Sequence, residues 1–342
     1  MILKKDISKK MMIFFGVLLA ALVILPHVST LSTTTLFSRI FIMAIYAMSY
    51  DILRGYMGFI NLGHALFFGS GAYIVGILFN NIGNTAPMFL LAIVITLVYS
   101  SVAAFIMGKI VFRSKGGGAA SVVAGAMTTL ALGEIVRHTA ERWRDVTMGA
   151  DGLSFRIPQM FSDRTLFYYY ALVFLIVMTL LLRQFINSPT GRVLMSIREN
   201  EQRAEFLGYD TEKYKLIGLQ VAGIASGFSG VMFGVMNRFV NTELLTVQQT
   251  LNALLMTLVG GTGTLYGAIV GSGFVNIVQS QLLNFRSVHP IFERWLLFFG
   301  AMYVIVVIFM PKGFMGLYYS LTDKRKAKIK SHAVKQTAGK SS

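Results

Sequence analysis

Apolar residues run in long unbroken blocks along this chain: MMIFFGVLLAALVIL at 11–25, MFLLAIVITLVYSSVAAFIM at 88–107 and LFYYYALVFLIVMTLLL at 166–182. Such blocks approach or reach the roughly 20 residues that a helix needs to cross about 30 Å of hydrocarbon. A membrane β-barrel would instead alternate polar and apolar side chains over segments of about ten residues. That alternation is missing here, so the spans read as helices that close their backbone hydrogen bonds internally. The pattern predicts helices over about 11–28, 37–53, 62–79, 88–108, 118–137, 166–185, 215–236 and 293–311. Residues 248–284 are apolar too, but GGTGT at 260–264 interrupts them, with Gly267, Gly271 and Gly273 following.

Composition agrees with this reading. The 342 residues are 55% hydrophobic and 13% charged, with a mean hydropathy of +0.64. Typical soluble domains carry about 25% charged residues. The fold class is therefore all-α: a polytopic membrane protein with about ten membrane-embedded segments, some of them short or broken. There is no cysteine, which excludes disulfides, thiolate metal sites and cysteine nucleophiles. The basic stretch with Lys4, Lys5, Lys9 and Lys10 precedes the first block, whose length and lack of a small-x-small cleavage site favour a retained helix over a signal peptide.

The net charge of +16 does not point to nucleic acid. It concentrates at residues 4–10, at Lys109, Arg113 and Lys115, and after residue 312, beside the spans. This is the bias that marks cytoplasmic segments. Seven crossings from an inside N-terminus put residue 237 outside. The last helix must end inside, because a basic tail follows it, so 248–284 has to return the chain to the outside. A pair of short helices around the glycine loop satisfies this. The expected location is a bacterial cytoplasmic (inner) membrane, multi-pass, with both termini cytoplasmic. Residues 1–317 are expected to form the membrane domain and 318–342 a basic cytoplasmic tail that meets lipid headgroups.

Polar and small residues inside the spans are the candidate chemistry. GYMGFINLGHALFFGSGAY at 55–73 is dense in glycine, which permits close packing or a broken helix near a pathway. Asn61 and His64 lie three residues apart and share a face once a helix has begun; a pathway-lining or helix-bonding role is expected, and no metal site. Asp51 and Arg54 are placed to pair locally. Glu134, Arg137 and His138 share one face near the outer end of their helix, either as an ion pair or as the lining of an outer vestibule. Gly223, Gly227, Gly230 and Gly234 form a small-residue stripe for a packing partner. AGKSS at the chain end lacks the first glycine and the flanking strand of a phosphate-binding loop, so any ATP is hydrolysed by other subunits.

The inner loop, 186–214, is too polar to span the membrane. Gly191 to Leu207 holds good helix formers and predicts one short amphipathic helix on the cytoplasmic surface. Val193, Leu194 and Ile197 lie on one side, with Arg198, Glu199, Glu201 and Glu205 supplying charge. Such a helix is marginal unless it docks on something.

At this point the chain resembles the permease subunits of branched-chain amino acid ABC importers, the LivM type. The resemblance rests on YDILRGYMGFINLGHALFFGSGAY (50–73), ALGEIVR (131–137) with GADGL (149–153), GRVLMSIRENEQRAEFLG (191–208), LVGGTGTLYGAIVGSGF (258–274) and MPKGFMGL (310–317). It implies a second related permease subunit, two cytoplasmic ABC ATPase subunits that use ATP and Mg, and an extracytoplasmic solute-binding protein. This chain itself is expected to bind no cofactor and catalyse no chemistry. The solute implied is leucine, isoleucine or valine, while family members also serve urea, short amides and aromatic acids. The candidate pathway residues are Asn61, His64, Glu134, Gly260, Gly261 and Gly263. The resemblance implies ATPase coupling through Gly191, Arg192, Ile197, Arg198, Glu199 and Gly208, and the amphipathic pattern adds Leu194 and Glu205. An ion-gradient transporter or channel is the rival class; it would have no ATPase.

Overall fold

The structure, a computed structural model, describes residues 21–113 and 119–284, together with positions 298, 300, 301, 304, 313 and 314. Most of the expected helix over 293–311, where positions 298, 300, 301 and 304 are helical, lies outside the described residues, as do the basic tail and most of the first span. Residues 21–28 are helical.

The helices follow the apolar blocks. α1 (Leu31–Asp51) continues into a π-helical turn, Ile52–Tyr56. α2 is Ala65–Asn81, α3 Ala86–Phe112 and α4 Ala119–Arg142. α5 (Arg164–Asn187) leads to two short helices, α6 (Pro189–Glu199) and α7 (Glu201–Phe206). α8 is Thr211–Asn237, and the bent pair is α9 (Val247–Gly260) and α10 (Leu265–Asn284). Among the described residues, four helices are long and apolar enough to cross a membrane, and the α9–α10 pair passes that test jointly, bent by 112°.

Observed boundaries differ from the apolar pattern where side chains satisfy backbone groups. α1 starts at Leu31 rather than near 37, and in this polar first turn the threonine hydroxyls are satisfied within the helix, Thr34 donating to the Thr30 carbonyl at 3.2 Å and Thr35 to that of Leu31 at 2.9 Å. α8 begins at Thr211, where the Asp210 carboxylate accepts from the Lys213 amide at 3.2 Å.

α1 is the axis of the bundle. Ile42, Ala44, Ile45, Tyr46, Ala47 and Met48 are wholly buried, as expected of a helix apolar on all sides. α5 meets it through Phe41 and Tyr168, α8 through Ser229 donating to the Ile42 carbonyl at 2.7 Å, and α10 through Ser272 donating to the Ile40 carbonyl at 3.1 Å. α3 and α5 lie outermost, exposing Leu90, Val94, Val98, Val102, Val173 and Leu180. In a bilayer these side chains face lipid.

Two ends result. At one, Lys109 pairs with Glu212 at 2.7 Å, and α6, α7, the π-helical turn and the α9–α10 bend gather. At the other, the loop from 143 to 163 folds back as a cap. It contains a helical turn, Arg144–Thr147, and the two-residue strand β1 (Leu153–Ser154), which pairs antiparallel with β2 (Phe239–Val240). That pair is the one departure from an all-helical chain among the described residues. The cap's own Phe155, Ile157 and Phe161 are buried.

Candidate functional site: a coupling loop and two helix breaks

The corner between α5 and α6 is set by sequence. Ser188 accepts from the Gly191 amide at 3.2 Å, and Pro189 takes the first helical position, where its missing N–H costs nothing. A Cβ on Gly191 would lie 2.2 Å from the Ile186 carbonyl oxygen, so glycine is required for this close approach.

One continuous helix over 191–207 is not what forms. Asn200 is extended, with φ −162° and ψ 106°, and its side chain accepts from the Arg203 amide at 2.9 Å to start α7. Asparagine at a helix start is a readable signal. Gly208 closes α7 with φ +88°, a left-handed conformation that glycine adopts freely. Glu205 accepts from the Thr211 hydroxyl at 2.8 Å.

The burial pattern corrects the expected docking face. Val193, Leu194 and Ile197 are 8%, 0% and 4% exposed, turned into their own subunit. Leu194 rests against α8 at Gly218, where a Cβ would lie 3.2 Å both from Leu194 Cδ1 and from Met57 Sδ. This apolar face holds the helix in place rather than greeting a partner. Arg192 and Glu199 are exposed, and so are two residues the sequence reading passed over, Phe206 at 91% and Leu207 at 71%.

Arg198, in the last turn of α6, reaches back to the first break, where its guanidinium donates to the Gly55 carbonyl. Its stem lies along Gly58, which has φ +74°. Asp51 does not turn to Arg54 as anticipated. It is fully buried and accepts from the Gly263 amide at 2.8 Å. The second break is thereby tied to the first. Gly261 and Gly263, with φ +112° and +77°, make this bend. Gly260 lies inside α9, where a Cβ would be 1.8 Å from the Gly267 carbonyl, so it serves α9–α10 contact.

Asn61 and His64 precede α2 instead of sharing a helical face. Side chains take over the amides that would otherwise start the helix: Thr129 accepts from Leu62 at 3.0 Å, Asn61 from Gly63 at 2.9 Å and Thr250 from Ala65 at 2.9 Å. Both residues are fully buried. His64 Nε2 meets the Ser49 hydroxyl at 2.8 Å, and its ring stacks on Tyr46 with centroids 5.5 Å apart. Among the described residues, no three histidine, aspartate or glutamate side chains group as metal ligands.

Glu134 accepts from Arg137 at 2.6 Å, and Arg137 also reaches Glu141 at 3.1 Å. Glu141 is a partner the sequence reading did not include. The stripe on α8 lies against α2 and α3: Gly230 meets the Phe68 backbone, Gly234 meets Val75 and Ala72, Gly223 meets Phe67, and Gly227 meets Ser100 and Thr96. At the capped end a cavity of about 300 Å³ opens between the start of α1 and the end of α8, lined by Ser38, Phe161, Arg164 and Arg238 among others.

Residues 32–307 match the family described as "Branched-chain amino acid transport system / permease component". The chain belongs to this permease family. The matched span takes in both breaks and the whole loop from 186 to 214. The permease is 24% identical over 355 residues to the high-affinity branched-chain amino acid transport system permease protein LivM of Escherichia coli (strain K12), covering 95% of this chain and 79% of that protein. With LivM of Salmonella typhimurium it shares 24% identity over 335 residues, 90% of this chain and 75% of the other. Over 229 residues it is 26% identical to the autoinducer 2 import system permease protein LsrC of Salmonella paratyphi B, covering 64% and 61%.

Proposed function

We propose that this permease is one of two transmembrane subunits of an ABC importer for leucine, isoleucine and valine. A second, related permease completes the pathway, two cytoplasmic ATPase subunits hydrolyse ATP with Mg, and an extracytoplasmic binding protein delivers solute. About ten segments are embedded, and both termini are cytoplasmic. The observation that carries this reading is the family match, which runs unbroken through the helical domain and the coupling loop.

In this reading α6 and α7 lie on the cytoplasmic side, and Phe206 and Leu207 are the apolar contact offered to an ATPase. Exposed apolar side chains with charged neighbours are the usual anatomy of such a contact. The subunit performs no chemistry. Its work is alternating access, and ATP shifts that equilibrium only if the ATPases bind one permease state more tightly than the other.

The relatives named for autoinducer 2 import support a second reading, a more polar solute. Uptake of radiolabelled leucine by cells making the complete assembly separates the two, with valine, isoleucine, urea, acetamide and autoinducer 2 as competitors. Competition by isoleucine and valine is the expected result. Competition by a polar compound with none by valine overturns the amino acid assignment.

A further inference from the structure

The two helix breaks and the coupling helix meet at one point. α1 ends in the π-helical turn, and such turns recur where helices do mechanical or functional work. The carbonyls at a helix end lack backbone donors, and that end carries partial negative charge. Arg198, from α6, donates to one of them, the Gly55 carbonyl. The mirror situation holds across the node: the Gly263 amide sits just ahead of α10, at the electropositive end of a helix, and Asp51 accepts from it. A cation therefore caps the end of α1 and an anion caps the start of α10.

No slack exists between the parts. A Cβ on Gly55 would lie 2.1 Å from Asp51 Oδ1 and 2.3 Å from the Gly263 nitrogen, and one on Gly263 would lie 3.1 Å from Arg198 Nη1. α6 cannot slide independently, because Leu194 and Ile197 are buried in the same subunit. Asp51 is wholly buried, and a buried carboxylate is costly unless it is hydrogen-bonded and paired, so the node depends on the Gly263 amide and on the nearby Arg198 guanidinium.

We propose that Arg198 is the positioning residue that transmits movement of the coupling helix to both breaks at once, through Gly55 directly and through Asp51 and Gly263 in series. The inference rests on the importer reading and deepens it. A coupling path needs an element with two arrangements that both sites bias. Here that element is the glycine-built pair of breaks, 52–64 and 261–264, and the charged node is where α6 grips it.

The test uses the complete importer in proteoliposomes, with solute imported per ATP hydrolysed as the readout, beside the thermal stability of the assembly. If the unaltered assembly imports no solute, the importer reading itself fails, whatever the variants do. R198A should lower the ratio at least tenfold. It should also lower stability, since it leaves Asp51 without the opposite charge. In D51N/R198A the buried charge is gone, so stability should recover while the ratio stays low. R198K keeps the charge and a donor able to reach one carbonyl and should hold the ratio within about threefold of normal. Recovery of the ratio together with stability in D51N/R198A would show a purely structural pair and overturn the proposal, as would an unchanged ratio in R198A. Should R198A alone fail to assemble, the double variant carries the test.

Discussion

Replacing Gly230 by alanine probes how closely α8 and α2 are pressed together. The new Cβ would lie 1.9 Å from the Phe68 carbonyl oxygen and 2.8 Å from its carbon, both backbone atoms. Carbon and oxygen in contact rest at about 3.3 Å, so the helices must part by about 1.4 Å along that line. Parting also opens the neighbouring contact, where a Cβ on Gly71 would be 2.1 Å from the Gly227 carbonyl. Overpacking costs about 1–3 kcal/mol, and backbone neighbours that cannot rotate aside put this site near the upper end. Alanine returns about 0.5–1 kcal/mol by stiffening the unfolded chain. The net loss is then about 2 kcal/mol, a shift of about thirtyfold in the folding equilibrium.

Two further alanines calibrate the scale. At Gly223 the three nearest atoms to the Cβ are all of the Phe67 ring, at 3.0–3.2 Å, a side chain that needs to give by only a few tenths of an ångström, and at Gly273 nothing lies nearer than Ile40 Cγ2 at 3.9 Å. Thermal unfolding in detergent, followed by loss of the monodisperse elution peak, should rank G273A above the unaltered protein, G223A close to it and G230A well below. If G230A unfolds no earlier than G273A, the contact is not as tight as described and the packing argument fails.

Three other outcomes follow from residues 186–214. Phe206→Ala with Leu207→Ala should leave the subunit folded yet reduce recovery of the ATPase in copurification at least tenfold, as loss of an anchor residue at an interface does. Leu194→Asp should lower the yield of the folded subunit itself, because the charge is buried without a partner; normal yield with lost ATPase would reverse the assigned faces. Asp210 bonds to the Lys213 side chain at 2.8 Å, and this pairing holds its carboxyl below the usual range. A depressed carboxyl stabilises fully above the ordinary aspartate pKa and loses that contribution as pH falls through its lowered value. Amide exchange at the start of α8 should accordingly speed up only in acid, and D210N should show no such step.

Helix positions were legible because lipid leaves a chain few options, and GGTGT marked the α9–α10 bend by glycine alone. The small stripe at Gly223, Gly227, Gly230 and Gly234 was legible as spacing, though not the identity of α2 as its neighbour. What escaped was decided by contacts distant in sequence. Nothing near Asp51 announces that its partner is the Gly263 amide, 212 residues away, and Arg54 was the natural local choice. The amphipathic face of α6 was visible in the sequence, but amphipathicity does not say whether the apolar side meets its own subunit or another. Asn200 and Ser188–Pro189 carried cap signals that could have divided the inner loop correctly. The exposure of Phe206 and Leu207 depends on where Gly208 turns the chain, which periodicity does not report.

The central place of α1 bears on how this protein is made. α1 enters the membrane early in synthesis, yet its neighbours α8, α9 and α10 are translated only much later. Between Asp51 and Gly263 lie 212 residues, or roughly 10–40 s of translation at about 5–20 residues per second. During that interval Asp51 lacks the Gly263 amide, and the Gly55 carbonyl lacks Arg198 until a further 143 residues have been made. The newborn helix must be sheltered at the insertion site or wait at the interface with its polar end in headgroups, and the last helices to arrive close the bundle around the first.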